Sequence, residues 1–516
     1  MKTVAGSSIT GPILRRIAGF RIARWDELAL KPQPIQVETL RGTCRRAAGT
    51  EFGCAHGFAG IRSYEEFRER VPLRSYAEFE PYLQRMRRGE RDVLWPGLIR
   101  YYGQSSGTSH TAALHKFLPI SDEQIRWQQR AGFDVVARYL DLSGDRSFTG
   151  GFSLGLFPPA VIKPDGPVGV TSNPGLMMRK LPAMARLISL PRSPIKEIED
   201  YDQKLDAIAA AYLDHDVRAL SGTTCWFSIF FERLLAAARK QGRAAATVSE
   251  IWPNLRALFG GGVHAGPYRK LIEQMVGRPV HLIDNYNATE GGILAATDKL
   301  DDGGMLVIPD RGVFFEFVPR AEHGKPDATR LPLWEVEPGG EYSVVLTTRS
   351  GLFGYVIGDF VRFLSVFPHR LVFAGRSSGM LSLTQELMTN LEVESAVTAA
   401  AEAQACTMVD YTAASEVGVN GSGKGRYLLF AEFAHEPQDL AAFARALDSE
   451  LCKQNRVYRE HRREDVAILP PSVVPLARGA TRAFMEALGQ TSVQNKFPRI
   501  LDEARRDVLR KFARPN

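Results

Sequence analysis

Apolar residues recur at helical spacing through much of the first hundred positions. Ser63 and Ser75 each precede such a stretch, and a serine hydroxyl can accept a hydrogen bond from the first turn of a helix, so we predict a helix after each serine. Ser121 is followed three residues later by Gln124, a spacing typical of a capping box, and apolar residues then fall on one helix face. The N-terminal region is therefore predicted to be mainly helical.

Between positions 121 and 375, helical stretches alternate with short apolar segments that are typical of strands. We predict helices at 203–213, 227–238 and 267–275, and strands at 280–283, 342–347 and 371–373. Such alternation indicates an α/β domain.

Beyond Arg376 the pattern changes to that of a compact α+β domain. We predict helices at 386–400, near 440–451 and at the C-terminal end, and strands at 406–412, 426–433 and 465–469. The expected fold class is therefore α/β, with a large N-terminal domain at 1–378 and a small, mobile α+β C-terminal domain at 379–516.

Composition narrows the class of protein. The 516 residues are 44% hydrophobic and 24% charged, which is typical of globular proteins, and no apolar run is long enough to span a membrane. The net charge is +7, but the basic clusters are short and interleaved with acidic residues. We therefore expect neither a nucleic acid nor a membrane as a partner. Five scattered cysteines without a Cys-x-x-Cys pair argue against a disulfide framework and indicate a reducing compartment, so we expect a cytoplasmic protein.

A serine-rich segment supplies the first candidate chemistry. Residues 101–109 (YYGQSSGTS) place small hydroxyl side chains around Gly107, directly after a β-prone stretch. Phosphate oxygens need short donors at close range, and a glycine lets the backbone approach the anion. The segment is also compatible with an ordinary loop. The candidate phosphate ligands are Ser105, Ser106, Gly107, Thr108 and Ser109.

Two later segments add groups that suit a nucleotide. After the strand predicted at 280–283, Tyr286 could stack on a purine, Thr289 could bind a phosphate and Glu290 could hold Mg²⁺, a cation that prefers oxygen ligands. Asp359 follows a glycine at a predicted strand end, where a single carboxylate suits the ribose hydroxyls. The alternatives are a polar loop with a surface glutamate and an aspartate that satisfies a local turn.

Taken in order, SSGTS (105–109), YNATEG (286–291) and YVIGDFVRF (355–363) resemble the three signature motifs of acyl-adenylate-forming enzymes. More specifically, they resemble the Gretchen Hagen family of acyl-acid amido synthetases. The resemblance covers nearly the whole chain, from 62–73 to the tail segment 494–499 (QNKFPR), which is similar to the family's Lys-x-Pro-Arg ending.

The resemblance implies a two-step reaction. ATP and a carboxylic acid give an acyl-adenylate and pyrophosphate, and an amine, usually that of an amino acid, then takes the acyl group and releases AMP. It implies that the serine segment, Thr108 included, holds the phosphates, that Glu290 binds Mg²⁺, and that Lys496 acts at the α-phosphate. It further implies that the adenine is bordered by Tyr286 and the glycines Gly260, Gly261 and Gly262. The ribose would be bound by Asp359, and the ribose or α-phosphate by Arg376.

Several questions stay open at this level. The acceptor could be a thiol, as in an acyl-CoA ligase, or the chain could bind a nucleotide without catalysis. The small-molecule acid, the amine and the oligomeric state are not specified by the sequence. By analogy we expect the acyl pocket between the serine segment and Tyr286, with Trp226 and Phe227 among its residues.

Overall fold

In the computed structural model the described residues are 7–105, 116–145, 147–261, 266–376, 381, 383, 388–417, 424–462, 468–490 and 496–514. They divide into two compact units. The first unit contains the residues up to 264 together with 279–373, and the second contains 265–278 together with the chain from 374 onward. The segment 265–278 thus groups with the C-terminal part of the chain.

The first unit begins with helices. They are α1 (Ser7–Leu30), α2 (Pro32–Ala47), α3 (Glu51–Ala55), α4 (Tyr64–Arg70), α5 (Tyr76–Arg87), α6 (Asp122–Ser143), α7 (Asn173–Arg179), α8 (Ala183–Ile188), α9 (Tyr201–Tyr212), α10 (Cys225–Lys240) and α11 (Val248–Ile251). The predicted caps of α4 and α5 are confirmed: Ser63 accepts the N–H of Glu66, and Ser75 forms a capping box with Glu78. The apolar faces of α2, α3, α4 and α5 form a buried cluster around Phe52, which also includes Phe353.

The strands of the first unit alternate with the later helices. They are β1 (Tyr101–Ser105), β2 (Lys116–Ile120), β3 (Phe152–Leu156), β4 (Lys163–Asp165), β5 (Val168–Thr171), β6 (Ser189–Leu190), β7 (Val217–Gly222), β8 (Ala257–Gly261), β9 (His281–Ala288), β10 (Gly292–Thr297), β11 (Met305–Val307), β12 (Val313–Pro319), β13 (Leu331–Pro332), β14 (Glu341–Thr348), β15 (Tyr355–Ser365) and β16 (Arg370–Arg376). Strand β16 crosses the boundary between the units at residue 373.

Two sheets organise these strands. A four-stranded sheet has the order β2-β1-β5-β4, and twelve described strands form a second sheet in the order β13-β12-β14-β15-β16-β11-β10-β9-β8-β7-β3-β6. In the second sheet β6, β3, β7, β8 and β9 run parallel to their neighbours, and the pairing becomes antiparallel from β9 to β10. In a parallel sheet, ligands bind at the carboxyl ends of the strands, which here include β8 and β9. This mixed architecture confirms the predicted α/β class.

The second unit is an α+β arrangement. Its helices are α12 (Gly266–Val276), α13 (Asn390–Ala403), α14 (Leu440–Gln454), α15 (Arg456–Arg462), α16 (Ala480–Ala487) and α17 (Glu503–Arg510), and its strands are β17 (Thr407–Val417), β18 (Gly425–His435), β19 (Ser472–Pro475) and β20 (Ile500–Leu501). The sheet order is β19-β18-β17-β20.

One predicted strand of the second unit lies mostly outside the described residues. Of 465–469 the structure describes only 468 and 469, and Ile468 forms an isolated bridge with Gly425. Strand β19, which begins at Ser472, pairs parallel with β18. The strand at 465–469 therefore stays a prediction.

No helix in the described ranges combines the length and the apolar composition that crossing a bilayer requires.

Candidate functional site

The described part of the serine-rich segment, residues 101–105, forms β1 of the first unit. Strand β1 pairs antiparallel with β2 and parallel with β5, and Ser105 is its last residue. A Cβ atom at Gly103 would lie 2.6 Å from the Cγ2 atom of Thr289, so only a glycine allows this approach. The strand of the first motif therefore packs against the second motif. The other predicted ligands of this segment lie outside the described residues: Ser106, Gly107, Thr108 and Ser109.

The turn that carries Glu290 connects β9 to β10. Gly291 closes this turn by donating its N–H to the carbonyl of Ala288 at 3.3 Å. Gln124, near the start of α6, donates its side-chain amide to the carbonyl oxygens of Thr289 at 3.2 Å and Glu290 at 2.9 Å. Gln124 is only 4% exposed. A buried, fully engaged amide holds the backbone of this turn, which fixes where the Glu290 side chain begins.

This use of Gln124 corrects the predicted capping box. Ser121 does cap α6, because its hydroxyl accepts the N–H of Gln124 at 3.0 Å. The Gln124 side chain does not return to the helix start. Its amide reaches the Glu290 turn instead, and its carbonyl oxygen accepts a hydrogen bond from the hydroxyl of Ser350. Periodicity shows where a helix begins, but a long-range partner for a polar side chain depends on tertiary structure.

The glycine segment forms the carboxyl end of β8. Gly260 pairs in register with Asp284 on β9, and Gly261 pairs with Asn285. A Cβ atom at Gly260 would lie 2.4 Å from the hydroxyl oxygen of Thr224, so the backbone there is tightly enclosed. The Asn285 amide donates to the carbonyl of Gly260. The close approach that the structure shows at this end of β8 is to the protein's own Thr224 and Asn285, and Gly262 lies outside the described residues.

Asp359 and Tyr286 form a direct contact. The tyrosine hydroxyl donates to the Oδ2 atom of Asp359 at 2.9 Å, and the two residues are 6% and 3% exposed respectively. The Tyr286 ring also packs 6.0 Å from the ring of Phe373. The third motif is thereby joined to β9, the strand that leads to Glu290. Stacking of Tyr286 on a purine stays a prediction.

The setting of Asp359 differs from the predicted strand end. Gly358 and Asp359 lie inside β15, which runs from Tyr355 to Ser365. The alternative of a turn aspartate is therefore wrong as well. β14 pairs with β15 beyond the glycine, with Ser343 opposite Phe360 and Glu341 opposite Arg362, so the strand extends past the glycine that the sequence analysis took as its end.

Two predicted residues belong to the second unit. Arg376 is the last residue of β16 and is exposed, and Lys496 is exposed in the segment before β20. The next residue, Phe497, is buried, and its ring lies 5.8 Å from that of Phe484. Lys496 is thus presented by a backbone whose neighbouring side chain is inserted into an apolar cluster.

An ion cluster fixes the same segment three residues further on. Arg499 donates to the Oδ1 atom of Asp410 and to the carbonyl of Tyr411, both at 2.5 Å. Tyr268 of α12 donates its hydroxyl to the same carboxylate oxygen at 2.8 Å and accepts a hydrogen bond from Arg499. The carbonyl of Arg499 accepts the N–H of Ala413 at 2.9 Å. The tail is therefore anchored to α12 and β17.

The sequence analysis did not identify Asp410 or Tyr268. A signal for Asp410 was present, because it is a single charge inside a segment predicted to be a buried strand, and a buried carboxylate requires a partner. Tyr268 carried no such signal, since its role depends on α12 grouping with the second unit.

The residues expected in the acyl pocket differ in accessibility. Phe227 is fully buried, whereas Trp226 is partly exposed and meets the ring of Tyr201 edge-on at 4.9 Å. Trp226 alone of this pair has surface available to a ligand.

Three segments of the chain match models of one protein family. Residues 21–157 match the GH3 family N-terminal domain, 306–376 its central domain and 391–505 its C-terminal domain. The chain is similar to the jasmonoyl–L-amino acid synthetase JAR6 of Nicotiana attenuata, with 25% identity covering 81% of this chain and 82% of that protein. It is also similar to the indole-3-acetic acid-amido synthetase GH3.4 of Arabidopsis thaliana, with 24% identity covering 92% and 90%.

Solved structures agree with this assignment at the level of the fold. The GH3.15 acyl acid amido synthetase in complex with 2,4-DB matches with a TM-score of 0.78 at 18% identity, covering 96% of each chain. A 2-hydroxyisobutyryl-CoA ligase in its postadenylation state matches with a TM-score of 0.58 at 15% identity, covering 92% of this chain and 90% of that one. The resemblance deduced from the three motifs and the tail is confirmed: this chain belongs to the GH3 family.

Proposed function

We propose that this protein is an ATP-dependent acyl-acid amido synthetase. It would adenylate a carboxylic acid and transfer the acyl group to the amine of an amino acid, releasing pyrophosphate and AMP. The observation that carries the proposal lies in the first unit, where strand β1, which leads into the serine segment, packs against the second motif and the second motif contacts the third. Strand β9 carries Tyr286, whose hydroxyl is hydrogen-bonded to Asp359. The same strand leads into the turn that contains Thr289, and Thr289 packs against β1.

The chemistry explains why these groups belong together. In the first step a carboxylate oxygen attacks the α-phosphorus of ATP, and the bond to pyrophosphate breaks. In the second step an amine nitrogen attacks the acyl carbon, loses a proton, and AMP leaves. Both substrates of the first step are anions, so the site must neutralise negative charge and align the reacting atoms. The serine segment, Arg376 and Lys496 are the groups we assign to this task.

The residues present suit Mg²⁺ held mainly by substrate. Mg²⁺ is commonly bound through one or two carboxylates together with phosphate oxygens. Glu290 is a single carboxylate on a fixed turn, and the described residues contain no group of three or more His, Cys, Asp or Glu side chains suited to a metal. Bound there, the ion would offset charge on the triphosphate.

Asp359 is the group we assign to the ribose. Its Oδ2 atom is held by the Tyr286 hydroxyl, so the orientation of the carboxylate is set before a ligand arrives. An orienting hydrogen bond of this kind reduces the entropy lost on binding.

A panel of carboxylic acids with ATP and hydroxylamine tests the first step, because hydroxylamine traps acyl-adenylates as hydroxamates. Acids that give a signal are then offered each amino acid or CoA, and AMP and the acyl product are measured. We expect AMP release that depends on an amino acid. Turnover that requires CoA would identify a thioester-forming ligase instead. Binding of ATP without AMP release across the whole panel would contradict an enzymatic role.

A further inference from the structure

A groove of about 600 Å³ lies on the first unit, between α6 and the residues around it. Its wall on α6 is built from Glu123, Arg126, Trp127, Arg130 and Phe133, which recur at intervals of three and four and so occupy one helix face. The volume falls within the range of small-molecule sites.

The charges of the groove are unbalanced. Four arginines and one glutamate line it. Arg21 is paired with Asp134 at 2.8 Å, and Arg349 lies 3.5 Å from Glu123. Among the described residues, Arg126 and Arg130 are exposed and make no direct ion pair, although the Asp310 carboxylate attracts Arg130 at longer range. Their spacing of four places like charges side by side on a helix, which destabilises it slightly. An anion in the groove would relieve this repulsion.

Aromatic rings lie next to these cations. The Arg130 guanidinium carbon is 4.9 Å from the centre of the Trp127 ring, and that of Arg21 is 5.6 Å from the Phe133 ring. Both rings are partly exposed. Planar ligands with an acidic group are recognised by such combinations, since the ring stacks and the acid pairs with guanidinium.

The fold also fixes the position of Trp127. Gly312 has a φ of +70°, and a Cβ atom there would lie 2.8 Å from two atoms of the Trp127 ring and 3.3 Å from Arg349. The positive φ favours glycine in any case. Trp127 and Arg349 are therefore both packed against the backbone at Gly312. Packing of this kind reduces the conformational entropy that these side chains would lose when a ligand binds.

A short hydrogen-bond chain connects the groove to the Glu290 turn. The carbonyl of Arg349 accepts the Ser121 hydroxyl at 2.6 Å. The hydroxyl of the next residue, Ser350, accepts the Ser121 N–H at 3.0 Å and donates to Gln124, which holds the turn. These bonds tie the segment at Arg349 and Ser350 to the start of α6 and, through Gln124, to the Glu290 turn.

We propose that this groove binds a small organic anion that carries an aromatic ring, at a site separate from the adenylation motifs. Arg126 and Arg130 pair with the acidic group, and Trp127 and Phe133 contact the ring.

Calorimetric titration of the full chain with 2-naphthoate and with 1-naphthyl phosphate tests this. The variants are Arg126→Gln/Arg130→Gln and, as a matched control, Arg46→Gln/Arg239→Gln, whose arginines are exposed on α2 and α10. We expect the affinity of one class of site for the probes to fall at least tenfold in the first double variant and to stay unchanged in the control. Trp127→Leu should weaken the same class. The tighter of the two probes identifies the acidic group.

Activity separates this site from the catalytic one. Without probe, adenylation by Arg126→Gln/Arg130→Gln should equal that of the wild type, since neither arginine belongs to the adenylation motifs. Equal binding of the neutral 2-naphthamide, unchanged binding in the groove variant, or absence of probe binding to the wild type would each overturn the proposal.

Discussion

At the residue scale, the position of the turn that carries Glu290 depends on a neutral side chain. Gln124 is buried and uses its amide on two carbonyl oxygens of the turn, and Ser350 orients its other end. Glu290 can hold a metal ion only if its backbone stays in place, because Mg²⁺ tolerates little departure from octahedral geometry. We therefore propose that Gln124 is a positioning residue for Glu290.

We expect Gln124→Ala to lower the rate of pyrophosphate exchange about tenfold and to raise the Mg²⁺ concentration that gives half-maximal rate. Loss of the amide leaves two carbonyl oxygens without their donor and frees the turn. The control is Gln84→Ala, an exposed glutamine on α5. An unchanged Mg²⁺ dependence in Gln124→Ala would show that the residue only stabilises the fold.

His369 gives a prediction about stability. Burial lowers its pKa to about 4, partly offset by hydrogen bonding with the backbone of Ala29 and Leu333. In the unfolded chain a histidine titrates near 6.5, so between these values the unfolded state binds the extra proton. Stability from this group is therefore full above about pH 6.5 and is lost as the pH falls toward 4.

We expect the wild type to lose about 2 kcal/mol more than His369→Gln between pH 7 and pH 5, because glutamine does not titrate there. Urea titrations at the two pH values measure the difference. Equal losses in the two proteins would mean that the imidazole is not buried as a neutral group.

At the scale of elements, the sequence predicted many of the helices and several of the strands, among them the one that leads into the second motif. Regular apolar spacing and serine caps located α4 and α5, and the predicted helix at 267–275 lies within α12 (Gly266–Val276). Strand ends were less predictable. β9 extends five residues beyond Ile283, and β15 continues through Asp359, because pairing with a neighbouring strand sustains an extended backbone that polar residues alone would not suggest.

The candidate site, too, could be predicted only in part from the sequence. Motif order identified Thr289, Glu290, Asp359 and Lys496 as candidates, since each stands in a recognisable segment. The contacts that hold them did not follow from the sequence. Hydrogen bonds join Tyr286 to Asp359 and Arg499 to Asp410. The partners are far apart in the chain, and such pairs are set by tertiary packing.

The tail segment before β20 is an element whose position can be tested. We expect Arg499→Ala to destabilise the second unit by about 3 kcal/mol, because it leaves the Asp410 carboxylate buried without its cation. Adenylation should also slow, since the backbone of Lys496 loses an anchor. Arg510→Ala removes a more exposed ion pair with Glu416 and should cost less than about 1 kcal/mol.

Thermal unfolding measures the loss of stability, and pyrophosphate exchange measures the loss of adenylation rate, so the two effects can be separated. Arg499→Lys keeps the charge but loses the planar donor pair, so it should recover part of the stability and little of the rate. Full activity in Arg499→Ala, measured well below its unfolding temperature, would show that the ion cluster does not position Lys496.

At the scale of the whole molecule, the candidate groups are distributed over two units. The three motifs belong to the first unit, whereas Arg376 and Lys496 belong to the second. The segment 265–278 also belongs to the second unit, so the chain passes between the units after the glycine segment, again before β9, and a third time at 373. Any motion of the second unit would involve all three passages, two of which flank predicted nucleotide contacts.

Lys496→Ala tests whether the two units act on one substrate. We expect it to abolish adenylate formation while ATP affinity stays within about tenfold, because an ammonium at the α-phosphate stabilises charge that develops in the transition state more than charge already present in bound ATP. Lys511→Ala, an exposed lysine of the same unit, is the control. If the lysine instead serves ground-state binding, ATP affinity and rate will fall together. Unaltered adenylation would contradict the tail assignment and leave the chemistry to the first unit alone.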